Sequence, residues 1–146
     1  YQIKKLNLED KIVFLGKKKE EEIVSYLQRS DIYLSTSVAE GLSNSVMEAA
    51  SCGLPVIAFE CEGMHEIIKN NSTGFVIYYS DVNEMSRKII NLYNNRAELD
   101  RLGKNARIHI LENFRIEKQV NEMIDFYNTF LKDNGQKIKI IPQKNT

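Results

Sequence analysis

Cysteine is scarce in this 146-residue chain: Cys52 and Cys61 are the only two. They stand at no metal-ligand spacing and have no third ligand nearby, which argues against a zinc module, and two are too few for a disulfide framework. They read as small apolar side chains in a reducing compartment. An excess of one charge is missing too, because 20 basic and 20 acidic residues give a formal net charge of +0. With no basic stripe interleaved with aromatics, nucleic acid is not an expected partner. Long apolar runs are lacking, and none approaches the roughly 20 residues of a membrane-spanning helix. Residues 1–10 are polar and charged, unlike the start of a signal peptide. There is no internal repeat, no low-complexity tract, no Walker phosphate loop and no Ser-His-Asp set.

What is present is apolar material for one ordinary core, 42% of the residues at a mean hydropathy of -0.37. The length suits one domain. Strand-like and helix-like segments alternate. KIVFLG at 11–16 is a β-rich run closed by glycine. A helix is predicted over 20–29, with Ile23, Val24 and Leu27 on one face. DIYLS at 31–35, PVIAF at 55–59 and GFVIYY at 74–79 are further strand candidates. Helices are predicted over 45–52 and 63–69, the second stopped by Asn70 and Asn71. Such alternation predicts an α/β fold: a Rossmann-like parallel sheet with flanking helices, joined by right-handed crossovers. A continuous apolar strand such as VIAF fits a sheet covered on both faces.

Beyond Ser80 strands give way to helices. Asp81 can cap a helix carrying Val82, Met85, Ile89 and Leu92 at spacings of three and four. Leu99, Leu102, Ala106 and Ile110 mark a second helix. Ile116, Val120, Met123, Tyr127 and Phe130 mark a third, with Asn134-Gly135 as its stop signal. The expected domain covers 1–135, followed by a loose tail at 136–146.

Chemistry concentrates in SVAEGLSNSVMEAASCGLPVIAF, residues 37–59. A parallel α/β sheet places its ligand at the carboxyl ends of its strands, and the loop after DIYLS projects there. Gly41 lets backbone approach a ligand closely. Ser43, Asn44 and Ser45 stand at a helix start, where free N–H groups and the positive end of the dipole attract an anion. Glu40 beside them is a poor phosphate neighbour but a good acceptor for sugar hydroxyls, and Glu48, one turn into the helix, can accept from a ribose diol. The pair suits a ligand that is part anion and part polyol, such as a nucleotide sugar. A structural reading competes. SVME at 45–48 fits a capping box, in which Glu48 bonds back to the cap's own N–H, and Glu40 is then a solvated loop acid. His65 has no evident partner and reads as structural or exposed, and His109 reads as a surface residue of the later helical region. KKKEEE at 17–22 reads as a loop and a solvated first helical turn.

The stretch from Ser37 to Ile68 resembles the donor-binding core of GT-B retaining glycosyltransferases, close to glycosyltransferase family 4. The shared pattern is two glutamates seven residues apart, Gly-x-Pro-Val, a strand, then Gly-x-x-Glu-Ile. Glu40, Glu48, Gly53, Pro55, Val56, Gly63, Glu66 and Ile67 fall in step with it. The resemblance continues through LEDKIVFLG upstream, and through NNSTGFVIYYSDVNEMSRKI and LGKNARIHILENFRIEKQVNEM downstream. It implies that Glu40 binds donor-sugar hydroxyls at the catalytic centre and that Glu48 binds the ribose. It implies that Gly41 and the N–H groups of Leu42, Ser43 and Asn44 meet sugar and diphosphate. Gly16 and Lys17 lie where the family packs the nucleobase. The implied reaction transfers a sugar from a nucleoside diphosphate to an acceptor hydroxyl with retention, without metal or other cofactor. One departure is Glu62, where the family commonly has the first of two glycines.

The resemblance further implies that the family's diphosphate-binding cations and its acceptor-holding N-terminal domain lie upstream of this sequence. The expectation is the donor half of an N-terminally truncated enzyme, inactive alone, whose partners are a nucleotide-sugar donor, a carbohydrate or lipid-linked acceptor and the missing N-terminal domain. The setting implied is cell-surface polysaccharide or glycolipid assembly, in the cytoplasm at the inner face of the membrane, with peripheral membrane association of the full-length protein. A non-catalytic nucleotide-sugar-binding or interaction module is the alternative. In the family's sheet, KIVFLG and DIYLS are separated by two further strands. Here the two runs are expected either to pair directly or to leave open edges.

Overall fold

The computed structural model describes residues 1–133. In chain order the elements are α1 (Gln2–Lys5), α2 (Glu20–Gln28), β1 (Tyr33–Ser35), α3 (Asn44–Ser51), β2 (Val56–Phe59) and α4 (Met64–Ile67). They continue with β3 (Gly74–Ile77), α5 (Val82–Asn94), α6 (Arg96–Asn113) and α7 (Ile116–Asp133). The strands form one parallel sheet in the order β1-β2-β3. Tyr33 is in register with Val56, and Val56 with Gly74. This is the expected α/β, Rossmann-like arrangement with a helical C-terminal region.

The all-apolar sequence of β2 follows from its central place. Side chains alternate between the faces of a strand. Val56 and Ala58 join one cluster with Val46, Ala49 and Ala50 of α3, Met64 and Ile67 of α4, and Ala106 and Ile110 of α6. Ile57 and Phe59 join the other with Phe75, Ile77, Met85, Leu92, Leu99 and Leu102. α6 contributes to both clusters, so it ties the two sides of the sheet together. Its approach to the α3–β2 turn is backbone on backbone: a Cβ at Gly103 would stand 2.2 Å from the Gly53 carbonyl oxygen. At the other end of α6, Arg96 pairs with Asp31 just ahead of β1. Asp81 caps α5 as expected, its carboxylate accepting from the Glu84 N–H at 2.9 Å.

One expectation needs correction here. Residues 11–16 form no strand, and Val13 and Phe14 are 77% and 83% exposed. A strand needs a hydrogen-bonding neighbour, and β1 pairs only with β2, leaving its other edge open among the described residues. Of the two expected outcomes, the open edge is the one found. In α2 only Leu27 of the predicted face is buried, while Ile23 and Val24 remain partly exposed. α7 forms as a helix, but Ile116, Val120, Met123 and Tyr127 are exposed. The Asn134-Gly135 stop and the tail at 136–146 lie outside the described residues. Among those residues, no helix is long and apolar enough to cross a membrane.

Candidate functional site

The loop 36–43 leaves the carboxyl end of β1 and delivers the chain to the start of α3. Ser43 is the residue before the first helical turn; it is buried and extended, at φ -76 and ψ 110. Its carbonyl accepts from the Met47 N–H at 3.1 Å, which closes the first turn. Its hydroxyl lies 3.1 Å from that of Ser45 and caps no helical N–H. The start of α3 therefore keeps donors that no side chain covers. With Ser43 as the cap, the third helical residue is Val46 and Glu48 is the fifth. Glu48 is two residues too far along for the predicted capping box, which is overturned; its carboxylate is exposed and makes no hydrogen bond among the described residues.

Glu40 is half-buried at the end of the same loop. Hydrogen bonding from Ser43, and then from Ser37, holds its carboxyl below the usual carboxylate range. Gly41 has open space where a Cβ would be, and Leu42 is exposed. Glu48 and Asn44 line a cavity of about 350 Å³ whose other walls are Val24, Met47, Ser51, Cys52, Ile110 and Phe114. Burial raises the pKa of the Cys52 thiol, opposed by Arg107 and aided by Glu48. Glu40, Gly41, Leu42, Ser43, Asn44 and Glu48 are thus gathered at one loop-to-helix junction. Gly16 and Lys17 are not joined to it. No atom lies within 4 Å of a Cβ built at Gly16, Lys17 is exposed, and neither makes a hydrogen bond or ion pair with 36–48.

Two features at the neighbouring turn escaped the sequence reading. Gly63, at φ +76, presses on the loop from behind: a Cβ there would lie 2.7 Å from the Gly41 oxygen. His65, read as unpartnered, has its Nε2 3.1 Å from Glu60 Oε1. The Gly63 contact spans more than twenty residues of sequence, so no local pattern announces it. His109, read as a surface residue, is a bracket between helices, bonding the Glu66 carbonyl at 2.9 Å and meeting Asn113. Among the described residues no three His, Cys, Asp or Glu side chains gather as metal ligands would.

The arrangement offers two carboxylates as hydroxyl acceptors on either side of exposed helix-start donors. Comparison with known proteins points the same way. The profile of the family described as "Glycosyl transferases group 1" matches residues 1–109. The chain is 30% identical over 132 residues to an N-acetyl-alpha-D-glucosaminyl L-malate synthase of Bacillus anthracis, covering 90% of this chain and 34% of that protein. It is 30% identical over 122 residues to a UDP-Gal:alpha-D-GlcNAc-diphosphoundecaprenol alpha-1,3-galactosyltransferase of Escherichia coli, covering 84% and 31%. It superposes on sucrose-phosphate synthase from Thermosynechococcus elongatus with a TM-score of 0.82 at 25% identity, covering 90% of this chain and 33% of that one. The chain spans about a third of the length of the curated relatives it matches.

Proposed function

Because the chain belongs to the glycosyl transferases group 1 family, we propose that it is the donor-binding part of an enzyme that moves a sugar from a nucleoside diphosphate to an acceptor hydroxyl, with retention. In that reaction the bond from anomeric carbon to phosphate oxygen breaks. The acceptor oxygen takes the carbon, and its proton leaves with the nucleoside diphosphate. Glu40 is the residue assigned to the sugar hydroxyls and the catalytic centre. Gly41 and the N–H groups of Leu42, Ser43 and Asn44 are assigned to sugar and diphosphate, Glu48 to the ribose, and Gly16 and Lys17 to the nucleobase.

The observation that carries this reading is the start of α3, where the cap side chain covers no N–H and the Glu48 carboxylate is uncommitted. Had Glu48 closed a capping box, its acceptor capacity would be spent inside the helix. The setting proposed is cell-surface polysaccharide or glycolipid synthesis at the inner face of the membrane, with a carbohydrate or lipid-linked acceptor. It is supported by the E. coli relative, whose name carries a UDP-sugar donor and a diphosphoundecaprenol acceptor. A part spanning a third of its relatives is expected to bind donor weakly and to transfer no sugar by itself.

The test is calorimetry with UDP-, GDP- and ADP-glucose and the corresponding diphosphates. Glu48→Gln is expected to weaken both classes about tenfold, since a hydrogen bond to a charged acceptor is worth about 1.5–3 kcal/mol. Glu40→Ala is expected to weaken the sugar-bearing ligand and spare the bare diphosphate. Unchanged binding with a lowered melting temperature in Glu48→Gln would return that residue to a structural role.

A further inference from the structure

The loop 36–43 is held from within only by side chains, Ser43 and Ser37 hydrogen-bonding to the Glu40 carboxylate. Among the described residues no backbone–backbone hydrogen bond involves 36–42. What it does have is Gly63. A Cβ built on Gly63 would lie 2.7 Å from the Gly41 oxygen, 2.9 Å from the Gly41 carbonyl carbon and 3.2 Å from the Leu42 nitrogen. All three are backbone atoms, so none can rotate out of the way as a side chain would. The turn that carries Gly63 is anchored on the opposite side. The Glu60 N–H donates to the Ile77 carbonyl of β3 at 2.7 Å, and within the turn the Met64 N–H donates to the Cys61 carbonyl at 3.2 Å. Met64 and Ile67 are buried in the core. Between an anchored turn and a loop without backbone hydrogen bonds, the loop is the partner that gives way.

We propose that Gly63 is a positioning residue for the donor loop: its bare Cα is the surface against which the Gly41–Leu42 peptide is set, and through that peptide it orients Glu40 and the Leu42 N–H toward the ligand. The proposal rests on the donor-site assignment of that loop. Glycine is required at 63 on two grounds, the left-handed φ of +76 and the missing Cβ. The second is the one that reaches the ligand. Gly41 has the complementary geometry, with open space on its own Cβ side. The peptide is therefore backed on one side and free on the other.

The test combines three single variants and two double variants with a wild-type measurement. Gly63→Ala is expected to lower affinity for the nucleotide-sugar panel about tenfold, the scale of one lost charge-assisted hydrogen bond. Gly63→Asn separates the two grounds, because asparagine tolerates left-handed φ but still carries a Cβ; it is expected to lose as much as Gly63→Ala. Recovery in Gly63→Asn would reduce the role of Gly63 to backbone strain and overturn the proposal. Combined with Glu40→Ala, the part of the Gly63→Ala loss that runs through Glu40 is expected to be absorbed, leaving the part carried by the Leu42 N–H, whereas with Glu48→Gln the losses add, since α3 does not move. Additivity with Glu40→Ala would overturn the proposal. Gly103→Ala, with an even closer backbone contact but far along the chain in α6, is expected to cost stability and leave affinity per folded molecule unchanged. NMR reads the contact without ligand. Amide order parameters of Gly41 and Leu42 near the rigid value of about 0.85 support it, and values below about 0.6 overturn it. This arm also decides the matter if Gly63 variants fail to fold. If no donor of the panel binds wild type, the donor assignment fails, while the NMR arm still tests whether Gly63 holds the loop.

Discussion

α6 and α7 are both 18 residues long, and each carries apolar residues at spacings of three and four. α6 buries Leu99, Leu102, Gly103, Ala106 and Ile110. α7 leaves Ile116, Val120, Met123, Phe126 and Tyr127 exposed. The difference lies in what stands opposite. α6 packs on α3, α5 and β3, while no element of the described residues covers those side chains of α7. Helical periodicity therefore licenses a helix and names the face that seeks burial. Whether that face contributes to stability depends on a second surface, which periodicity does not supply.

The comparison is broken most directly by truncating one apolar side chain in each helix. Leu102 is fully buried, and Leu102→Ala is expected to cost about 2–5 kcal/mol, the range for cavities in a packed core. Met123→Ala is expected to fall within about 0.5 kcal/mol of wild type, as for a surface position. Urea melts of the two variants check this, and equal losses would mean that the face of α7 is covered in solution.

A smaller effect is expected where α6 touches backbone. Gly103→Ala places a methyl 2.2 Å from the Gly53 oxygen and is expected to cost about 1–3 kcal/mol, as overpacking does, despite the better helix propensity of alanine. Asn121→Ala in α7, with no such neighbour, is expected to be neutral or slightly stabilising in the same melts.

The smallest effect sharpens the comparison at the surface. Arg101 donates to Glu98 at 2.7 Å and also to the Asn71 carbonyl at 2.9 Å, so the pair fastens α6 to the turn before β3. Hydrogen bonding to Arg101 lowers the pKa of Glu98. A carboxylate whose pKa is lower in the folded state stabilises above its unfolded value, and that contribution is lost as pH falls through the folded value. The melting temperature of Glu98→Gln is therefore expected to lie slightly below wild type at neutral pH. The two curves should converge below the ordinary carboxylate range. In α7 the Lys118–Glu122 pair is looser, at 4.0 Å, and it is Lys118 that reaches α6, at the Glu112 carbonyl; Glu122→Gln is expected to leave the melting temperature at neutral pH unchanged.

Much of the fold was legible because it is local. Asp81 sits one residue ahead of an apolar three-and-four repeat and is found capping α5. The unbroken apolar run VIAF becomes a strand buried on both faces. The two failures have different causes. KIVFLG has the composition of a strand but no hydrogen-bonding neighbour among the described residues, and composition does not count neighbours. SVME has the letters of a capping box, but the helix begins at Asn44 with Ser43 as its cap, two residues earlier than the motif requires. A shift of this size in a helix boundary is invisible to propensity and decisive for a side chain.

The sequence alone determined the alternation of strands and helices, the apolar partners inside each element, and the ordered motif from Glu40 to Ile67 that places the chain in its family. These depend on residues within a few positions of one another, where backbone geometry sets the spacing. Only the tertiary structure decided that Glu48 makes no hydrogen bond and that the open edge of β1 is unpaired, both among the described residues, and that Gly63 backs the Gly41–Leu42 peptide. Each of these turns on where a distant segment lies, or on which residue begins a turn, to within about an ångström. Packing of the whole chain sets that distance, and no short stretch of sequence encodes it.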